Sequence, residues 1–214
     1  NGRVRHGDSL GNSGIIGEGD VQWMTAGSGI IHEEMPERNE GGLAGFQLWA
    51  NLPSHSKMMH PRYRDIKNDD IPEVELDTGT RVRVICGEVQ GVHGPVQDIV
   101  TDPEYLDVIM APRSVFKHAV NEGYTVFAYL FEGSAFFEPL QRDYLEEDTL
   151  VLFNDGSEIE ITSGKEGARF LLISGKPLRE PIAWRGPIVM NTDEELRNAF
   201  DEYQRGTFLK HADK

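Results

Sequence analysis

Short apolar runs recur along almost the whole chain, and Gly, Pro, Asp or Asn breaks them every few residues. Several runs alternate apolar with polar positions, as in Arg81–Cys86 and Glu158–Ile161, and this period of two is typical of half-buried β-strands. The breaks return at about the 8–12-residue spacing that is typical of sandwiches and barrels. The pattern therefore predicts an all-β protein.

Two turn signals in the second half predict hairpins. Asn154–Gly156 separates two β-rich runs and has the residue types of a tight turn. Gly133 separates the run Phe127–Phe131 from Ala135–Phe137, which predicts a second hairpin. Gly45–Leu52 predicts a strand whose Trp49 packs in a core.

One helix is predicted near the end of the chain, at about residues 193–205. Thr192 is followed three residues later by Glu195, which is the pattern of a capping box, and Gly206 supplies a stop. The apolar positions between them fall on one helical face. They are Leu196, Ala199, Phe200 and Tyr203.

A polar, proline-punctuated stretch between Pro53 and Pro72 indicates a domain boundary. We predict that residues 1–65 form the C-terminal part of a first barrel, that residues 66–73 are a linker, and that residues 74–214 form a second barrel with the terminal helix. The first segment holds too few strands to close a barrel, so we expect that barrel to be incomplete in this chain.

The charge balance narrows the classes of partner. The 214 residues include 21 Lys and Arg against 36 Asp and Glu, which gives a formal net charge of −15. This charge opposes direct binding to nucleic acid or to an anionic membrane. No apolar run approaches the ~18–20 residues that cross a bilayer. The single cysteine, Cys86, predicts a packed thiol in a reducing compartment such as the cytoplasm.

The segment Gly27–Pro36 carries the main chemical signal. Gly27 and Gly29 allow a tight backbone bend, and His32 and Glu34 follow on a predicted strand. Residues two apart on a strand face the same side, so His32 and Glu34 lie together while Glu33 faces away. An imidazole beside a carboxylate offers two ligands to a metal. A catalytic metal takes about three or four protein ligands, so further ligands must come from elsewhere.

The remaining histidines are weaker candidates. His55 and His60 flank Met58 and Met59 in the polar linker stretch and are five residues apart, which fits a metal less well than a solvated segment. His93 lies between glycines and is interpreted as a loop residue. His118 precedes a predicted hairpin of the second barrel and is interpreted as a structural or surface residue. No phosphate-binding loop, dinucleotide fingerprint or Ser/His/Asp arrangement is present.

Several extended motifs resemble the pirin family, and together they span most of the chain. They are Gly19–Pro36, Gln47–Leu52, Pro61–Asp65, Val84–Gly87, Gly175–Pro181 and Gly186–Thr192. The resemblance implies a bicupin of two stacked β-barrels, or jelly rolls, with a C-terminal helix.

The resemblance also implies one metal, usually Fe(II), in the first barrel. Three histidines and one glutamate hold it in pirins, and His32 and Glu34 match the third histidine and the glutamate. The other two histidines are expected upstream of Asn1, outside this chain. His6 is a candidate substitute, although the family often has a histidine there that does not bind metal. Other divalent metals are an alternative, and a form without the upstream histidines would hold no metal.

Bacterial pirin-like proteins resemble quercetin 2,3-dioxygenases, which implies a flavonol substrate, O₂, and Glu34 as both ligand and general base. The alternative is a non-catalytic, iron-binding redox sensor that docks a protein partner, as animal pirins resemble transcription coregulators. A truncated, metal-free form is a second alternative. We expect a monomer in the cytoplasm, or in the nucleus if the source is eukaryotic.

Overall fold

A computed structural model describes residues 2–37, 42–138 and 143–211, and the chain divides into two compact units. The first unit combines residues up to Asn68 with residues from Leu178 onward, and the second runs from Asp69 to Pro177. Strands dominate both units, which confirms the predicted all-β class. The boundary at Asn68 falls inside the predicted linker 66–73.

The N-terminal part of the first unit contains five short strands in two small antiparallel sheets. The strands are β1 (Val4–Asp8), β2 (Ser13–Ile16), β3 (Val21–Thr25), β4 (His32–Pro36) and β5 (Arg62–Ile66), with 3₁₀ turns at Ser54–Ser56 and Asn68–Asp70. β1 lies between β2 and β4, and β3 pairs with β5. β3 and β4 are consecutive in the chain but pair with different partners, so the bend between them connects two sheets.

The second unit is built around one eight-stranded antiparallel sheet. The strands of this unit, including two outside the large sheet, are β6 (Glu73–Glu75), β7 (Arg81–Cys86), β8 (Glu88–Val89), β9 (Val92–His93), β10 (Glu104–Met110), β11 (Val115–Ala119), β12 (Thr125–Phe136), β13 (Leu145–Glu146), β14 (Thr149–Leu152) and β15 (Glu158–Gly175). The long β15 pairs with β10, β11 and β12, while β8 and β9 form a separate hairpin.

Strand alternation explains the core of the second unit. In β7, Val82 and Val84 are fully buried, while Arg81, which begins the strand and faces the other side, is exposed. β10 and β15 direct Leu106 and Phe170 into the same cluster, where both are inaccessible to solvent. Burial of such side chains removes apolar area from water, which is the main favourable contribution to folding.

Both predicted hairpins are wrong. β12 continues from Thr125 to Phe136 as one strand, because Gly133 forms an irregularity in the pairing with β15 instead of a turn. Gly133 adopts a φ of 76°, and a side chain there would overlap the carbonyl oxygen of Gly167. Asn154–Gly156 connects β14 to β15, but β14 pairs with β12.

The C-terminal segment contains β16 (Ala183–Arg185), β17 (Ile188–Met190) and α1 (Asp193–Gln204). The predicted capping box is present, since Thr192 Oγ1 accepts from the Glu195 amide and the Glu195 carboxylate accepts from the Thr192 amide. The predicted helix at about 193–205 therefore matches the structure closely.

The structure differs from the predicted boundaries in where this segment belongs. We predicted that residues 74–214 form one domain, whereas residues from Leu178 onward lie with the first unit. Glu180 explains the attachment, because its carboxylate accepts hydrogen bonds from the Ser54 amide at 2.8 Å and from Asn191 Nδ2 at 3.0 Å. The Ser54 amide bond lowers the pKa of Glu180 most, and the Asn191 and Ser54 side chains and the charge of Lys57 lower it further against a raising effect of burial.

Candidate metal-binding site

A glycine-rich turn leads into the strand that carries the candidate ligands. Gly27 and Gly29 both have positive φ, at 51° and 134°, and the Gly29 amide donates to Ala26 O at 3.0 Å. The Ser28 amide donates to Met59 O at 2.9 Å, and a side chain at Gly27 would overlap that same oxygen. The predicted bend is therefore present, and glycine is required because L side chains rarely adopt this conformation.

His32 and Glu34 lie side by side on β4. Their Nδ1 and Oε1 atoms are 3.8 Å apart, and the side chains are 30% and 35% exposed. This distance confirms that the two side chains lean to the same side of the strand. Glu33, between them, lies opposite Gly7 of β1, with its carboxylate against that glycine.

His6 occupies the neighbouring strand directly opposite Glu34. Directly opposed residues of an antiparallel pair share a face of the sheet, so His6 belongs to the face of the candidate ligands. Its ring is 3% exposed and lies 2.9 Å, at Nε2, from the hydroxyl of Tyr63. Burial raises the pKa of Tyr63, the carboxylates of Asp65 and Asp8 raise it further, and a hydrogen bond with Gln22 opposes the shift.

The described residues supply two candidate ligands, His32 and Glu34, at this site. Across residues 2–37, 42–138 and 143–211, no group of three or more His, Cys, Asp or Glu side chains could hold a metal ion. His6 therefore does not complete a ligand set with His32 and Glu34 in this arrangement. The chemistry of the pair fits two adjacent positions on a transition metal, for which imidazole and carboxylate are suitable donors.

The segment Gly45–Leu52, which was predicted to be a strand with Trp49 in a core, does not form that structure. Residues 42–50 belong to no sheet within the described chain, and Trp49 is 57% exposed, so the predicted core packing of Trp49 is wrong. Leu43 and Phe46 are also about half exposed, at 52% and 51%. Apolar alternation indicates a strand, but a strand forms only where a partner edge is available.

The remaining histidines occupy three different settings. His118 lies with its Nε2 2.9 Å from a carboxylate oxygen of Glu104, and both side chains are largely buried at 12% and 17% exposure. His93 is exposed beside Glu88. His60 stacks on His211 with ring centroids 4.2 Å apart, a contact that no local sequence pattern predicts because the two residues are far apart in the chain.

Known proteins resemble this chain over nearly its full length. A protein of Thermoplasma acidophilum that is provisionally named a quercetin 2,3-dioxygenase is 42% identical over 98% of this chain and 86% of its own length. The chain is a member of the pirin family. A pirin-like protein of Caulobacter vibrioides is 39% identical over 97% of this chain and 74% of its own length.

Family models and a solved structure agree with this membership. The model of the pirin family matches residues 1–50, and that of the pirin C-terminal cupin domain matches residues 105–209. A quercetin 2,3-dioxygenase from Acinetobacter baumannii superposes with a TM-score of 0.85 at 37% identity, covering 97% of this chain and 73% of that one. The predicted family and cupin fold are thereby confirmed. None of the helices in the described residues is long and apolar enough to span a bilayer.

Proposed function

We propose that this pirin is a metal-dependent dioxygenase that opens flavonols such as quercetin. His32 and Glu34 act as two ligands of Fe(II), and Glu34 also acts as the general base. The contact of 3.8 Å between the His32 imidazole and the Glu34 carboxylate carries the proposal. The 37% identity to a quercetin 2,3-dioxygenase from Acinetobacter baumannii supports the substrate class.

Bound iron would supply one-electron chemistry with O₂, for which a mixed imidazole and carboxylate set is suited. The chain itself contributes Glu34 as a proton acceptor and His32 as a neighbouring imidazole. Glu34 accepts the proton of the flavonol 3-hydroxyl, and the imidazole of His32 lies beside its carboxylate, two residues away on the same strand. The remaining ligands come from outside the described residues, in line with the two upstream histidines that the family resemblance implies.

Carbon monoxide release from quercetin by the iron-loaded protein in air tests this function. We expect Glu34→Gln to lower the rate by roughly 100-fold or more, because a positioned base contributes about 10²–10⁴-fold. Glu33→Gln is the matched control, since Glu33 lies on the opposite side of β4. Equal rates in both variants, or no carbon monoxide from the wild-type protein, would contradict the proposal.

The rival function is an iron-dependent redox sensor that docks a protein partner. The exposed apolar side chains of Leu43, Phe46 and Trp49 favour it, because such surfaces often bind other proteins. An absence of turnover, combined with partner affinity that differs between Fe(II) and Fe(III), would support the sensor. Metal analysis of the purified protein separates both functions from a metal-free form, which would contain no stoichiometric metal.

We also propose that the protein acts as a monomer in a reducing cytoplasm. Cys86 supports the compartment, because it is buried and its Sγ donates to Pro103 O at 3.1 Å, as expected of a packed thiol. Sedimentation and cell fractionation test these two statements.

A further inference from the structure

The first unit brings together two histidines that lie outside the candidate site. His60 precedes β5, and His211 lies in the tail that follows α1. Their rings are tilted by 32° with centroids 4.2 Å apart, and both residues are exposed. Solvent and dissolved ions can therefore reach this pair.

A backbone contact sets the hydrogen position on His60. Its Nδ1 lies 2.9 Å from Pro61 O, and a carbonyl oxygen only accepts hydrogen bonds. Nδ1 must therefore carry the hydrogen, which leaves the lone pair of the neutral ring on Nε2. Histidines that bind metals almost always donate their other ring N–H to a carboxylate or backbone carbonyl in this way. His60 thus has a free lone pair on Nε2 for a metal, and the hydrogen bond from Nδ1 to Pro61 O fixes its ring as in known metal-binding histidines.

The spacing of the two rings also suits one shared cation. With metal–nitrogen bonds of about 2.0–2.1 Å, two imidazoles at adjacent positions on one ion place their centroids about 4.5–5 Å apart. The observed separation of 4.2 Å is slightly shorter. A small rotation of either side chain brings the pair into that range, and water can fill the remaining positions.

Other contacts hold the tail here without a cation. Phe208 packs against Gly29, where an added side chain would meet its ring, and lies edge-on to Tyr203 at 5.9 Å. Lys210 pairs with Glu202 at 2.7 Å. These contacts of Phe208 and Lys210 hold the tail so that His211 lies beside His60.

We propose that His60 and His211 form a second divalent-cation site, selective for metals that prefer imidazole, such as Zn²⁺ or Ni²⁺. The ion would tie the C-terminal tail to the segment between Met59 and Pro61. This site shares no ligand with the His32 and Glu34 pair, so it stands whether or not the protein opens flavonols.

Calorimetric titration with Zn²⁺ tests the site in a background carrying His32→Ala and Glu34→Ala, which removes both candidate ligands on β4. We expect one Zn²⁺ per chain, and we expect His60→Ala or His211→Ala to weaken binding by roughly tenfold or more. His55→Ala is the matched control, because His55 lies in the nearby 3₁₀ turn and should leave the affinity unchanged. Unchanged Zn²⁺ affinity in His60→Ala would overturn the proposal.

Limited trypsin digestion gives a second measurement that needs no change at either histidine. Zn²⁺ should slow cleavage after Lys210 in the same background, because the ion holds the adjacent His211. Intact-mass analysis follows the loss of the last four residues. Cleavage at the same rate with and without Zn²⁺ would show that the two rings are in contact but bind no ion, and would contradict the proposal.

Discussion

The two units of this protein use their interiors differently. The apolar cluster around Phe170, Leu172 and Val108 lies in the second unit, where all three side chains are fully buried. In the first unit, His6 and Lys57 are among the buried side chains, at 3% and 6% exposure. The burial of apolar side chains stabilises the fold without requiring a particular contact geometry, whereas a buried polar group needs hydrogen-bond partners at specific positions.

Lys57 shows how a buried charged group is held by hydrogen bonds and how burial changes its pKa. Its ammonium donates to Asn51 Oδ1 at 2.7 Å and to Leu52 O at 3.0 Å. Burial lowers the pKa of Lys57, and the charges of Glu180 and Glu195 partly oppose that shift. The comparison shows that the large apolar cluster lies in the second unit, while His6 and Lys57 of the first unit are buried polar groups that hydrogen bonds hold in place.

The largest effect should come from a cavity in the second unit. Leu172→Ala removes a side chain with 0% exposure and should lower the free energy of unfolding by about 3 kcal/mol. The matched control is Leu152→Ala on β14, where the side chain is 66% exposed and the change should stay within about 0.5 kcal/mol. Urea denaturation measures both, and equal losses would refute the role assigned to the core.

A smaller effect should come from removing a hydrogen-bonded charge in the first unit. Asp20 accepts from the amides of Gly17 and Asn68 at 2.9 and 2.8 Å and pairs with Lys67 at 3.1 Å. Its side chain is 12% exposed. Asp20→Ala should lower the free energy of unfolding by about 2 kcal/mol at neutral pH, because removing a hydrogen-bonded charged group typically costs about 1.5–3 kcal/mol.

The pH dependence sharpens this prediction. Burial acts to raise the pKa of Asp20, but the two amide hydrogen bonds and Lys67 outweigh it, so the pKa lies below the ordinary value of 3.8. The ionised carboxylate therefore stabilises the fold above pH 3.8, and this contribution is lost as the pH falls through the lowered value. The difference between wild type and Asp20→Ala should vanish in acid. Asp77→Ala removes an exposed carboxylate and is the control, which should change the free energy of unfolding by less than about 0.5 kcal/mol at neutral pH.

The smallest effect should come from the helix cap. Thr192→Ala removes the acceptor for the Glu195 amide and should lower the free energy of unfolding by about 1 kcal/mol. Thr192→Ser keeps that acceptor and should restore most of the loss. Thermal denaturation measures both variants, and a Ser variant as unstable as the Ala variant would show that the cap does not act through its hydroxyl.

Local patterns predicted the features that depend on neighbouring residues. The capping box at Thr192, the glycine bend before β4 and the adjacency of His32 to Glu34 all follow from spacing along a few residues. Alternation predicts which side of a strand a residue faces, because the period is set by the backbone itself.

Features that depend on distant pairing could not be predicted. Alternation does not say which strand is the neighbour, so the separate partners of β3 and β4 and the unbroken course of β12 through Gly133 were missed. The attachment of Glu180 to Ser54 and the contact of His60 with His211 join residues that are far apart in the chain. Their side chains become neighbours only after both units fold.

The division of the chain has a consequence for synthesis on the ribosome. The first unit includes residues from Leu178 onward, so its N-terminal strands, which pair with one another, emerge long before the C-terminal segment of the same unit. The second unit is continuous, but its sheet also waits for β15, which pairs with three other strands. We therefore expect the first unit to reach its final form only after residues beyond Leu178 have been synthesised, and nascent chains to need protection from aggregation during that interval.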